Sequence, residues 1–266
     1  MTVTGQSVRN PEITLSMRII VNNPELTLVL PARRSTVAEI KATKAQIRAI
    51  RDSALKVLEQ FYSDKIISST DYKARKAAIE RAFTMYEFAW MTNSTEKYWN
   101  AANSEDGAKD FKPGIVYYGL PYTQRNRVNT PASLIKAGVY TDSGKGYYLW
   151  NGAKFSDRAY PGTDCSSFAS IALWGETSAR ASDTTRKIAT ASYYETINDW
   201  KSLRTSDLIG KNGHVIIFLY WTDAARTQFM LIEQGGGEAA INTVSCNVRT
   251  VAYYQSEGYV IRRPKF

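Results

Sequence analysis

Hydrophobic and polar positions change rhythm three times along the chain. From residue 12 to 31 they alternate, with Ile13, Leu15, Met17, Ile19 and Val21 followed by Leu26, Leu28 and Leu30. Asn22-Asn23-Pro24-Glu25 interrupts them, so the stretch predicts a β-hairpin or two short strands. From Thr36 the period becomes helical. Thr36 and Glu39 have the spacing of a capping box, and Val37, Ile40, Ile47, Ile50, Ala54, Leu58 and Phe61 form one stripe. After a turn at 63–70, Tyr72, Ile79, Phe83, Tyr86 and Trp90 form a second stripe, which predicts an antiparallel helical hairpin. The polar run from Asn93 to Pro113 marks a boundary. The expected organisation is a short β-strand segment (1–33), a helical hairpin (34–95) and a larger unit (96–266).

In that larger unit the rhythm changes again. Pro161-Gly162-Thr163-Asp164 reads as a turn into a helix bearing Phe168, Ile171 and Ala172 and ending at Gly175. The apolar run Val215–Trp221 reads as a buried strand with Gly213-His214 at its mouth, and Phe229–Gln234 as the next strand, joined by a loop at 222–226. A helix packed against antiparallel strands makes the expected fold class α+β.

Composition narrows the chemistry. The 266 residues include one histidine and two cysteines, so histidine-dependent catalysis must run through His214. Cys165 would occupy the first turn of its helix, where the dipole and free amides favour a thiolate and offer donors to an oxyanion. In an antiparallel hairpin the start of one strand faces the end of the next, so His214 lies opposite residues 233 to 235. Glu233 or Gln234 would then orient the imidazole, the choice depending on register. Cys165, His214 and one of these two polar residues make a nucleophile, a base and an orienter. One histidine and two distant cysteines lack metal-ligand spacing, so neither a metal nor a cofactor is expected. A single bridge between Cys165 and Cys246 would remove the nucleophile and leave a binding module.

The net charge of +9 suits polyanionic surroundings, yet no zinc-finger, Walker or RNP-like pattern points to nucleic acid. No apolar run reaches the roughly 18 residues of a membrane span. The first residues lack the basic start and apolar stretch of an export signal.

At these positions the chain resembles the NlpC / p-sixty family of cell-wall cysteine peptidases, within the papain-like superfamily. Thr163-Asp164-Cys165-Ser166-Ser167-Phe168 is similar to its Asp-Cys-Ser-Gly-Phe motif, with Ser167 in place of glycine. Leu203-Arg204-Thr205-Ser206-Asp207-Leu208 and Gly213-His214-Val215 are similar to its Leu-x-Pro-Gly-Asp-Leu and Gly-His-Val segments, with Thr205-Ser206 in place of Pro-Gly. Gly119-Leu120-Pro121-Tyr122 matches its upstream Gly-x-Pro-Tyr, and the ending at 258–264 is like its terminal strand. The resemblance covers about residues 112–264. It implies a papain-like catalytic unit in which Cys165 is nucleophile, His214 base, and Glu233 or Gln234 the third residue. Tyr122 becomes an oxyanion or substrate neighbour, and Asp164 and Ser166 hold the free amine of a stem peptide.

The implied reaction is hydrolysis of peptide bonds in peptidoglycan stem peptides through a thioester. The implied location is extracytoplasmic, with the basic surface facing anionic cell-wall polymer. A papain-like acyltransferase using the same Cys-His pair, or an inactive wall-binding module, is the alternative. Residues 123–161 have no counterpart in the motif spacing. Their Tyr140, Tyr147, Tyr148, Trp150 and Tyr160 would either wall a substrate groove or cover the core.

Overall fold

A computed structural model describes residues 30–32, 34–95, 111–123, 127–152, 162–235 and 243–266, with the backbone of residues 2–6 and 14–18. The architecture is mixed α+β, as the rhythm of the sequence predicts. Strands β1 (Thr2–Gln6) and β2 (Thr14–Arg18) form a two-stranded antiparallel pair. β2 falls within the alternating stretch, but its partner lies upstream of it. The expected strand at 26–30 falls mostly outside the described residues.

The helical hairpin is present. Helices α1 (Ile40–Ser63) and α2 (Ser69–Tyr86) pack on each other, and α1 buries Ile40, Thr43, Ile47, Ile50, Ala54 and Leu58. The Glu39 carboxylate accepts hydrogen bonds from the amide and hydroxyl of Thr36 at the entry to α1. The Ser68 hydroxyl caps α2 by accepting from the Asp71 amide. Two expected stripe members behave otherwise: Val37 is exposed, and Trp90 lies in a strand rather than in α2.

A six-stranded antiparallel sheet carries the C-terminal half. Its members are β8 (Tyr194–Ile197), β9 (Leu208–Lys211), β10 (His214–Trp221), β11 (Gln228–Gln234), β12 (Val244–Thr250) and β13 (Val260–Pro264). They run in the order β12-β11-β10-β9-β13-β8. Along β10, Val215, Ile217 and Leu219 point into the large core, while Ile216 and Phe218 point into a smaller one with Leu231, Phe229 and Tyr254. This period-two division is what a sheet covered on both faces requires.

Helix α4 (Cys165–Trp174), which follows the short helix α3 (Pro131–Lys136), lies between the sheet and the helical pair, in contact with β10 and β11 on one side and α2 on the other. Every residue from Cys165 to Leu173 is buried, including Ser166, Ser167 and Ser170. Small hydroxyl side chains let neighbours approach a helix that is enclosed all round. Ile47, Ile79 and Phe83 of the helical pair belong to the same large core as Phe168, Ile217 and Ile232.

A second sheet of five short strands runs in the order β3-β5-β4-β7-β6. They are β3 (Arg34–Ser35), β4 (Ala89–Thr92), β5 (Val116–Tyr118), β6 (Tyr140–Asp142) and β7 (Tyr148–Trp150). Trp90 sits among Phe111, Tyr117, Tyr140 and Trp150 with ring centroids 4.7 to 5.9 Å apart. Tyr140, Tyr147 and Trp150 are buried, so these aromatics of the 123–161 stretch form core rather than a groove wall. Tyr148 is only partly buried and stacks on Phe88, and Tyr160 lies outside the described residues. Among the described residues no helix is long and apolar enough to cross a membrane.

Candidate active site

Cys165 opens α4, and the local sequence explains why the helix starts there. Asp164 is the N-cap: one carboxylate oxygen accepts from the Ser167 amide at 2.6 Å, the Ser167 hydroxyl at 2.8 Å and the Ser166 hydroxyl at 2.9 Å. Ser167 reciprocates by accepting from the Asp164 amide at 3.0 Å, closing a capping box. The other Asp164 oxygen pairs with Arg127 at 2.9 Å. The two residues assigned by resemblance to a substrate amine both serve the cap: Asp164 has four donors on it, and Ser166 donates to Asp164. Arg127 was not identified from sequence. It lies in the stretch that has no counterpart in the motif spacing, and nothing nearby in the chain marks it as a partner of the nucleophile helix.

His214 begins β10 directly after the two-residue turn Asn212-Gly213, across which His214 pairs with Lys211. Gly213 has φ +95°, a conformation open to glycine, and an Asn-Gly pair is the favoured two-residue hairpin turn. The Cys165 thiol donates to the Gly213 carbonyl at 3.8 Å, next to His214, whose titration it influences. The Nε2 atom of His214 is 2.8 Å from a Glu233 oxygen. That leaves Nδ1 clear of the carboxylate.

Register decides between the two candidate orienters. Ile217 pairs with Ile232 and Phe218 with Leu231, so Glu233 shares the sheet face of His214, Ile216 and Phe218. Gln234 falls on the other face and donates from Nε2 to the Leu120 carbonyl at 3.1 Å. Glu233 is itself held from the next strand, where the Asn247 side-chain amide donates to its second oxygen at 2.8 Å. Asn247 was also missed. It pairs with Leu231 across β11–β12, a contact made only once the sheet is assembled.

Opposing effects act on the imidazole. Burial pulls its pKa down, while hydrogen bonds to Cys165 and Glu233, and the negative charge of Glu233, favour the protonated form. The net result is a value raised to about 9. At neutral pH His214 is thus an imidazolium, held so chiefly by its bonded and charged neighbours against the pull of burial.

Tyr122 reaches this region through a short parallel bridge. The Thr163 amide donates to the Pro121 carbonyl at 3.1 Å and the Thr123 amide to the Thr163 carbonyl at 2.9 Å. The strands come so close that a Cβ at Gly162 would lie 1.9 Å from the Pro121 oxygen. The upstream Gly-Leu-Pro-Tyr segment is thereby stitched to the two residues preceding Asp164 and Cys165. Both cysteines are free thiols, Cys246 lying opposite Ile232 in the sheet. Among the described residues no three His, Cys, Asp or Glu side chains are grouped to hold a metal ion.

No family model, no curated protein and no solved structure matches this chain.

Proposed function

We propose that the protein is a cysteine hydrolase of papain-like, NlpC-type organisation that cleaves peptide bonds in peptidoglycan stem peptides. The observation that carries this reading is the chain Cys165–His214–Glu233, with a thiol at a helix start, an imidazole against it and a carboxylate 2.8 Å behind the ring. The Cys165 thiolate attacks the carbonyl carbon and a C–S bond forms. The tetrahedral intermediate collapses as the C–N bond breaks, and the departing amine takes the proton from His214. Water then attacks the thioester with His214 accepting its proton; the C–S bond breaks, which releases the carboxylic acid and restores the thiolate–imidazolium pair.

The turn before β9 supports the organisation. The Asp207 amide donates to the Arg204 carbonyl, with Ser206 between them at φ +70°. Ser206 thus keeps the left-handed conformation that glycine would supply in the Pro-Gly of the resembling segment. The extracytoplasmic location and attraction to anionic wall polymer belong to the same proposal, supported by the net charge of +9.

The test is to incubate the protein with stem peptides, before and after alkylating Cys165 with iodoacetamide, and to read the products by mass spectrometry. Cleavage that disappears on alkylation, and is absent in Cys165→Ala, is expected, and the fragment masses name the bond. Undiminished cleavage by Cys165→Ala would remove the mechanism. No cleavage by a protein whose Cys165 alkylates readily would remove the substrate.

A further inference from the structure

Three consecutive residues at the end of β11 address three different parts of the site. Glu233 holds the base, as described above. Gln234 faces the opposite side of the sheet, is fully buried, and donates to the Leu120 carbonyl at 3.1 Å. Since a carbonyl only accepts, this contact fixes which end of the carboxamide is the NH2 group. The Gln234 oxygen is buried and has no hydrogen-bond partner among the described residues. An apolar side chain of similar length would avoid that cost, so the polar group is explained by the bond it makes and not by its own burial. Gly235 completes the set. Its φ is +65°, and a Cβ there would lie 2.5 Å from the Tyr122 ring.

We propose that Gln234 is a positioning residue for acylation of Cys165: with Gly235 as its seat, it sets the 119–122 segment and the Tyr122 ring beside the nucleophile. The segment is held from two sides. On one it is bridged to Thr163, and on the other it is clamped by Gln234 and packed on Gly235. The strand that carries Glu233 therefore also fixes the segment on which Tyr122 lies, and the two are kept in register by adjacent residues of one backbone. The inference rests on the Cys165 mechanism proposed above but not on the wall-peptide substrate.

The test compares two reactions of the same thiol in the full chain. With p-nitrophenyl acetate the Cys165 thiolate attacks the acetyl carbonyl, a C–S bond forms, the ester C–O bond breaks and nitrophenolate leaves through an oxyanionic intermediate. With iodoacetamide the thiolate displaces iodide at a saturated carbon, and no oxyanion develops. Gln234→Met is expected to slow the acylation burst by about 10-fold or more, because a misplaced wall costs geometry at the reacting carbon. It should leave the alkylation rate and its pH profile unchanged. Combined with Tyr122→Phe it should add little to the loss from Tyr122→Phe alone.

Gly235→Ala, which pushes on the same ring, should show the same split between the two reactions and serves if Gln234→Met does not fold. Unchanged acylation, a parallel fall in both reactions, or additive losses with Tyr122→Phe would each overturn the proposal. Wild-type protein that is acylated but cleaves no stem peptide would remove the wall substrate and leave this inference standing. Wild-type protein that is not acylated at Cys165 would remove both.

Discussion

Helix α4 is flanked by two regions that contact it closely and contribute very different things. On one side β10 and β11 supply His214, Glu233 and Gln234. On the other side α2 supplies apolar surface and arginines. Arg81 donates to the Ala172 and Leu173 carbonyls at 2.7 Å each, capping the C-terminal end of the helix that Cys165 begins. Arg75, fully buried, donates to the Thr205 carbonyl at 2.7 Å and pairs with Asp207 at 2.9 Å. Asp207 also receives Arg263 from β13 at 2.7 Å. One flank carries the His214–Glu233 pair. The other holds the helix and ties α2 to the turn that leads into β9. A region without a catalytic group can thus be indispensable to the site through packing and buried charge.

The sharpest way to break this comparison is to delete residues 34–95. Because Ile47, Ile79 and Phe83 share one core with Phe168 and Ile232, the remainder is expected to lose cooperative unfolding altogether. Thermal melts followed by near-ultraviolet circular dichroism would check it. A truncated protein with a sharp transition and native alkylation of Cys165 would make the helical pair dispensable after all.

Asp207→Ala comes next. It removes the buried carboxylate shared by Arg75 and Arg263, leaving Arg75 with the Asp71 carboxylate alone, and should cost about 3 kcal/mol, read by denaturant titration. The fraction still folded should keep the wild-type pH profile, since the Asp207 side chain bonds Arg75, Arg263 and the Arg204 amide, and neither His214 nor Glu233.

Glu233→Gln tests the opposite flank. Stability should change little by comparison, while turnover falls on the order of 10²-fold. The pH dependence has a definite sign. His214 has its folded pKa raised to about 9, so the stability it contributes is fully present below about 6.5 and is lost as pH rises through 9. The alkaline limb of activity follows the same group, because the imidazolium must protonate the leaving amine. In Glu233→Gln that limb should move to lower pH, with burial then dominating the imidazole. A limb that stays near 9 would remove Glu233 as the orienter.

The smallest effect is expected for Arg81→Ala, about 1–2 kcal/mol from two lost charge-assisted hydrogen bonds, with the alkaline limb unmoved.

Much of this arrangement was legible in the chain. Helical spacing marked α1, α2 and α4, and the run after His214 marked β10, because amphipathic period follows from backbone geometry. The lone histidine and the Asp-Cys-Ser context singled out the two reacting groups. Asn212-Gly213, the turn that presents His214, carried a readable hairpin signal that was passed over. Arg127 and Asn247 had no such signal, since each acts on a residue at least 14 positions away. The aromatic residues of 123–161 were readable as core or groove alike, and only their neighbours in the assembled structure decide for core in Tyr140, Tyr147 and Trp150.

By itself the sequence determined the α+β class and singled out Cys165 and His214 as the candidate pair, because local periodicity and residue chemistry are properties of short stretches. Tertiary structure alone decided that Glu233 faces the imidazole while Gln234 faces Leu120, that Asp164 is spent on a cap and on Arg127, and that the helical pair shares the core of the site. Those outcomes depend on sheet register and on contacts between distant segments, and a shift of one residue in register exchanges the two faces of a strand.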